Sequence, residues 1–172
     1  RHYCTYGRIA YGQKTHDFFA RLLARRMATV RPCGHNRALI YHVHHRPLYE
    51  AVGDPDNRHR KPMALARALE RLMLLDAVLE EPQLTWLGTE RDKVHHFTLS
   101  RPVPRDDLPS VTYRGATTST VRYFVDKLPI GVAPDERLTV LLYLITRPSP
   151  IEFRAFLEHH ADLLRALPAW TV

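Results

Sequence analysis

The chain of 172 residues is short of the features that define several protein classes. It has two cysteines, Cys4 and Cys33, too few for a disulfide framework. Only seven glycines are present, and none falls in a Gly-rich phosphate loop or a Gly-x-Ser-x-Gly nucleophile elbow. The longest apolar run, Val140 to Ile145, is far below the ~20 residues that span a bilayer, so no membrane partner is expected. No basic segment followed by an apolar stretch and a small-residue cleavage site opens the chain, and a reducing, cytoplasmic compartment is the expectation. With 45% apolar and 25% charged residues, the composition also excludes disorder and collagen-like repeats.

Negative charge is what the first third lacks most. Residues 1–62 hold 12 Lys and Arg against 4 Asp and Glu, a net of +8, together with seven of the eleven histidines. Residues 63–172 hold 13 against 14, a net of −1. A basic segment joined to a near-neutral remainder points to a polyanion partner, most often nucleic acid.

The pattern from Lys14 to Met27 is helical, with Phe19, Leu22, Leu23 and Met27 on one face and Lys14, Asp17, Arg21 and Arg25 on the other. Ala28 to Pro32 reads as a strand, Cys33-Gly34-His35-Asn36 as a turn, and Arg37 to His44 as a second, alternating strand. Pro47 to Val52 reads as a short helix stopped by Gly53. Helix, strand, turn, strand and short helix form the second half of a winged helix-turn-helix module. Its helix needs an apolar face against its own core and a basic face for the major groove. Gln13, Lys14, Thr15, His16, Arg21 and Arg25 are the candidate DNA-binding residues on that helix, with Arg37 at the wing gripping the backbone.

Residues 54–61 are a linker rich in Pro, Asn, Asp and Arg between a module at 1–53 and a domain at 62–172. Pro62 introduces a helix with Leu65, Leu69, Leu72, Leu75 and Leu79, widened by Met73 and Val78. It is expected to be buried on more than one side or to form a homodimer face. Thr89 to Asp92 resembles a capping box opening a helix to Phe97. Residues 100–118 read as irregular, Val121 to Val125 as a strand, and Leu138 to Ile145 as a strand buried on both faces. Ser149-Pro150-Ile151-Glu152 is a helix start, with Phe153, Phe156, Leu157, Leu164 and Leu167 as its apolar stripe. Trp170 to Val172 begins a further strand, giving a parallel β-α-β unit. Phe124, Tyr143, Phe153, Phe156 and Trp170 are expected in the core. The fold class is thus an α+β winged-helix module followed by a small α/β domain. A chain that opens on Arg1 with 12 residues before the candidate recognition helix reads as the piece of a longer protein, with the earlier winged-helix helices upstream.

The segment from Lys14 to Thr29, with Tyr41-His42-Val43-His44 and Pro47 to Gly53, resembles the replication-relaxation family of plasmids and conjugative elements. That resemblance implies a winged helix preceding an α/β region related to the restriction-endonuclease fold. It also implies duplex DNA binding in the replication, transfer or regulation of a mobile element, without catalysis and without cofactor. Two alternatives stay open. A metal-dependent nuclease or relaxase accessory enzyme needs an acidic residue on one strand and acidic-x-Lys on the next, and Asp126-Lys127 is the nearest match without the spacer. Glu90 and Lys93 read as a solvent pair. A protein-interaction module would meet an acidic partner through the basic segment. Cys33, His35, His42 and His44 match no finger or ribbon spacing, and no metal is expected.

Overall fold

The computed structural model describes residues 1–33, 38–53, 55, 57, 60–115, 117–145 and 149–172. It is a mixed α+β structure of helices and small sheets. Two compact units divide the chain, Arg1–Leu72 and Met73–Val172, and the division falls inside a helix, downstream of the expected linker.

The first unit starts with the short helix α1 (His2–Tyr6), followed by α2 (Gln13–Ala24). Strands β1 (Ala28–Pro32) and β2 (Leu39–Val43) pair antiparallel from Ala28↔Val43 to Pro32↔Leu39, and α3 (Arg46–Ala51) follows. Gly53 takes φ +78, the left-handed conformation that glycine adopts at least cost, and ends α3 as its sequence suggests. The core is small: Cys4, Thr15, Leu22 and Ala28 are buried. An aromatic chain extends it. Tyr3 stacks on Phe18 at 5.0 Å between centroids, and Phe19 stacks on Tyr41 at 4.2 Å, tying α1 to α2 and α2 to the hairpin.

Helix α4 (Leu65–Glu80) carries the expected leucines, yet none of its residues is buried, and Met73 is 53% exposed. Its expected burial on more than one side is therefore corrected. Eight large apolar residues crowd 16 positions, more than a single amphipathic stripe can hide.

The second unit is built on a four-stranded sheet of order β3-β6-β7-β8, with β3 Thr85–Leu87, β6 Ile130–Val132, β7 Leu138–Leu141 and β8 Ala169–Thr171. The first two junctions are antiparallel and β7–β8 is parallel. Helices α6 (Pro150–His159) and α7 (Ala161–Ala166) make the crossover, the expected β-α-β unit. Ser149 caps α6, its hydroxyl accepting the Glu152 N–H at 3.4 Å. Helix α5 (Glu90–His95) opens with a reciprocal capping box between Thr89 and Asp92 and runs into a π-helical turn, His96–Ser100. That wider turn carries Phe97 into the core, where it stacks on Phe124 at 5.8 Å.

Three sequence expectations change here. Residues 100–118 are not all irregular: β4 (Ser110–Arg114) pairs with β5 (Ser119–Tyr123) as a separate antiparallel hairpin, joined to α5 through a 3-10 turn at Arg105–Asp107. The strand expected over Val121–Val125 ends at Tyr123, because Phe124 turns to φ +49 and drops its ring into the core at 2% exposure. Of the apolar run from Leu138, only Leu138–Leu141 is strand, and its Leu138 is 36% exposed. Phe124 and Phe156 are core as expected, whereas Phe153 and Trp170 are exposed, the latter on edge strand β8.

Candidate nucleic-acid interface

Helix α2 is amphipathic in the sense the sequence suggests. Leu22 is buried, Phe18, Phe19 and Leu23 are half-buried, and Gln13, Lys14, His16, Asp17, Arg21 and Arg25 are exposed. Gln13, Asp17 and Arg21 lie one turn apart along one line. The Gln13 amide donates to the Asp17 carboxylate at 2.8 Å, and Arg21 Nε donates to the Asp17 carbonyl at 3.3 Å. Asp17 is the single carboxylate among residues 1–49, so the face stays cationic. His16 meets the Tyr11 ring edge-on at 5.2 Å.

Thr15 is the exception among the candidate residues. It is 5% exposed, and its hydroxyl lies 3.4 Å from Cys4 Sγ and 3.5 Å from the Ala10 carbonyl. A position seven residues before Leu22 shares its face, so Thr15 belongs to the core rather than to a DNA-facing surface. Arg37 lies outside the described residues, as do Gly34, His35 and Asn36 of the expected turn.

The C-terminal end of α2 adds a residue that pattern reading passed over. Met27 N–H donates to the Leu22 carbonyl at 2.8 Å and Arg26 N–H to the Leu23 carbonyl at 2.9 Å, the two bonds of a Schellman motif. Its left-handed position, usually glycine, is held by Arg26 at φ +55. The side chain is exposed beside Arg25. The Arg25-Arg26 pair at the end of a helical period was the available signal. Arg31 on β1 is also exposed, with Nη1 donating to the Met63 carbonyl at 3.1 Å.

The hairpin histidines His42 and His44 lie 6.0 Å apart between ring centroids. Among the described residues, no three His, Cys, Asp or Glu side chains converge as a metal-binding group. No helix among them is long and apolar enough to cross a membrane.

In the second unit, Glu90 and Lys93 do not form a solvent pair. Lys93 is 1% exposed, and its ammonium donates to the Leu128 carbonyl. Burial pushes its pKa down, partly countered by the charges of Asp126 and Glu90. Glu90 instead takes Arg122 at 2.8 Å and the Tyr123 N–H at 2.9 Å. Asp126 is fully engaged: one oxygen accepts the Leu128 N–H at 2.9 Å and the other lies 3.1 Å from His160 Nε2. His160 is 2% exposed, with Nδ1 2.9 Å from the Phe156 carbonyl. Burial raises the Asp126 pKa, but the His160 and Leu128 hydrogen bonds and the charges of His160 and Lys93 prevail and hold it below the usual carboxylate value. This cluster ties the α6–α7 elbow to the segment between β5 and β6.

No family model, curated protein or solved structure matches the chain.

Proposed function

We propose that the first unit binds duplex DNA, with α2 as the groove-facing helix and the β1–β2 hairpin as a wing, in the manner of a winged helix. The observation that carries this reading is the exposed face of α2, where Lys14, Arg21, Arg25 and Arg26 stand against one carboxylate while Thr15 and Leu22 are buried behind them. A helix followed by an antiparallel hairpin gives both a groove-reading element and a backbone contact. The role is non-catalytic binding in the replication, transfer or regulation of a mobile element. Asp126 sits in a structural cluster with His160 and the Leu128 N–H, and the acidic-x-Lys spacing of a nuclease metal site is missing at Asp126-Lys127.

The test is fluorescence anisotropy of the full chain with a labelled random duplex across a salt series. Four neutralised phosphates give a log–log slope of about −3.6, at roughly 0.9 per phosphate. The double reversal Arg21→Glu with Arg25→Glu should abolish binding. Unchanged affinity in that variant would remove α2 from the interface, and preferential binding of poly-glutamate would favour an acidic protein partner.

A further inference from the structure

The second unit is near-neutral overall, but its charge is not evenly spread. From Leu108 to Val125 there is no acidic residue, while Arg114 and Arg122 are present. Those residues include the β4–β5 hairpin, exposed along nearly its whole length, with Tyr113 at 51% and Val121 at 44% exposure. An isolated two-stranded ribbon is marginal by itself, so the contacts at its base matter.

At that base a groove of about 460 Å³ opens between α5, the 3-10 turn and β5. Its size falls within the ~300–1,000 Å³ of ligand sites. Arg91 and His95, four residues apart on α5, line one side, and Arg105 lines another. All three are exposed. The single lining carboxylate, Glu90, has both oxygens occupied: Oε2 by Arg122 and Oε1 by the Tyr123 N–H. The charge left to a ligand is therefore positive. The remaining wall is apolar and aromatic: Val94, Val121 and the Tyr123 ring. Arg105 Nε donates to the Tyr123 hydroxyl at 3.1 Å, and its guanidinium carbon lies 5.0 Å from the ring centroid. The guanidinium over the ring places a cation on the same wall as the aromatic surface.

We infer that this groove binds single-stranded nucleic acid, with phosphates held by Arg91, His95 and Arg105 and an unstacked base lying against Tyr123, Val94 and Val121. Cations alone would serve an acidic peptide equally. The aromatic and valine wall beside them favours a ligand that offers a flat apolar face next to each negative charge. A duplex hides those faces inside its stack, so this site differs in ligand from the one on α2, and its residues all lie in the other unit.

The experiment measures the full chain's affinity for a labelled oligothymidylate by fluorescence anisotropy across a salt series. Arg91→Ala with Arg105→Ala should weaken binding about ten-fold and flatten the log–log slope by ~1.4, at roughly 0.7 per single-strand phosphate. Tyr123→Leu should lose about five-fold or more, while Tyr123→Phe, which keeps the ring, should stay near wild type. The α2 double reversal should leave oligothymidylate affinity in place while removing duplex binding, which separates this inference from the function proposed above. Four results would overturn it: no oligothymidylate binding at low salt, an unchanged Arg91/Arg105 variant, loss through the α2 reversal, or poly-glutamate bound as tightly. Circular dichroism on each variant confirms folding, and the exposed arginine pair keeps the test valid if Tyr123→Leu misfolds.

Discussion

Replacing Arg26 by glycine should make the protein more stable and a weaker DNA binder. Arg26 sits at φ +55 in the closing turn of α2, with its N–H committed to the Leu23 carbonyl and its side chain in solvent. A non-glycine residue in the left-handed region costs about 1–2 kcal/mol. Glycine brings back roughly 0.5–1 kcal/mol of extra unfolded-state freedom. The net stabilisation by Arg26→Gly is therefore about 0.75 kcal/mol at the midpoints of the two ranges. For a unit of this size that corresponds to a rise of roughly 2–8 °C in melting temperature. Arg26→Ala is the control: it keeps the backbone penalty and removes the same charge, so it should lie within about 0.5 kcal/mol of wild type. Urea and thermal unfolding followed by far-UV circular dichroism give the comparison. In duplex binding the two variants should behave alike, each flattening the salt slope by about 0.9. Glycine no more stable than alanine would refute the strain argument. Stability gained with binding untouched would remove Arg26 from the interface.

Two further outcomes test the second unit. Thr139 is 1% exposed, and its hydroxyl finds no hydrogen-bond partner among the described residues. Thr139→Val, nearly the same shape without the hydroxyl, should stabilise by about 1 kcal/mol in urea unfolding, and a loss of that size would show that the hydroxyl is satisfied. The folded-state pKa values of Asp126 and Glu90 lie below their ordinary 3.8 and 4.5. Their contribution is thus complete above those values and is lost as pH falls through the lower folded ones. Urea midpoints measured from pH 5 downward should fall, and Asp126→Asn should flatten that decline. An unaltered slope in the variant would contradict the pairing with His160.

What could be read from the sequence was what repeats. The three-and-four spacing placed α2 and α4, strand-forming residues placed β1, alternation placed β2, and local capping chemistry placed the starts of α5 and α6. Strands of three residues have no period to read. Thr85-Trp86-Leu87 becomes a strand only by pairing with Ile130-Gly131-Val132, which in turn pairs with β7, and Gly131 suits the crossing because a Cβ there would stand 2.9 Å from the Leu84 side chain and 3.2 Å from Trp86. Buried polar residues were equally invisible. Lys93, three positions after Glu90, has the spacing of a surface pair, and only the Leu128 carbonyl brought across from the segment before β6 makes it a core residue. The same limit applies to the candidate interface: periodicity gave the sides of α2, but assigning Thr15 to the inner side required α1 and Cys4.

The order of strands in the larger sheet also has a kinetic consequence. In the first unit, β1 and β2 are separated by only six residues of sequence and follow α2 directly, so these contacts close early and cheaply in chain entropy. In the second, Leu87 pairs with Ile130 across α5, its π-helical turn and the whole β4–β5 hairpin, and the parallel β7–β8 junction waits on α6 and α7. Refolding of the full chain should therefore be at least biphasic, with the basic unit in place before the sheet behind Trp86 is complete.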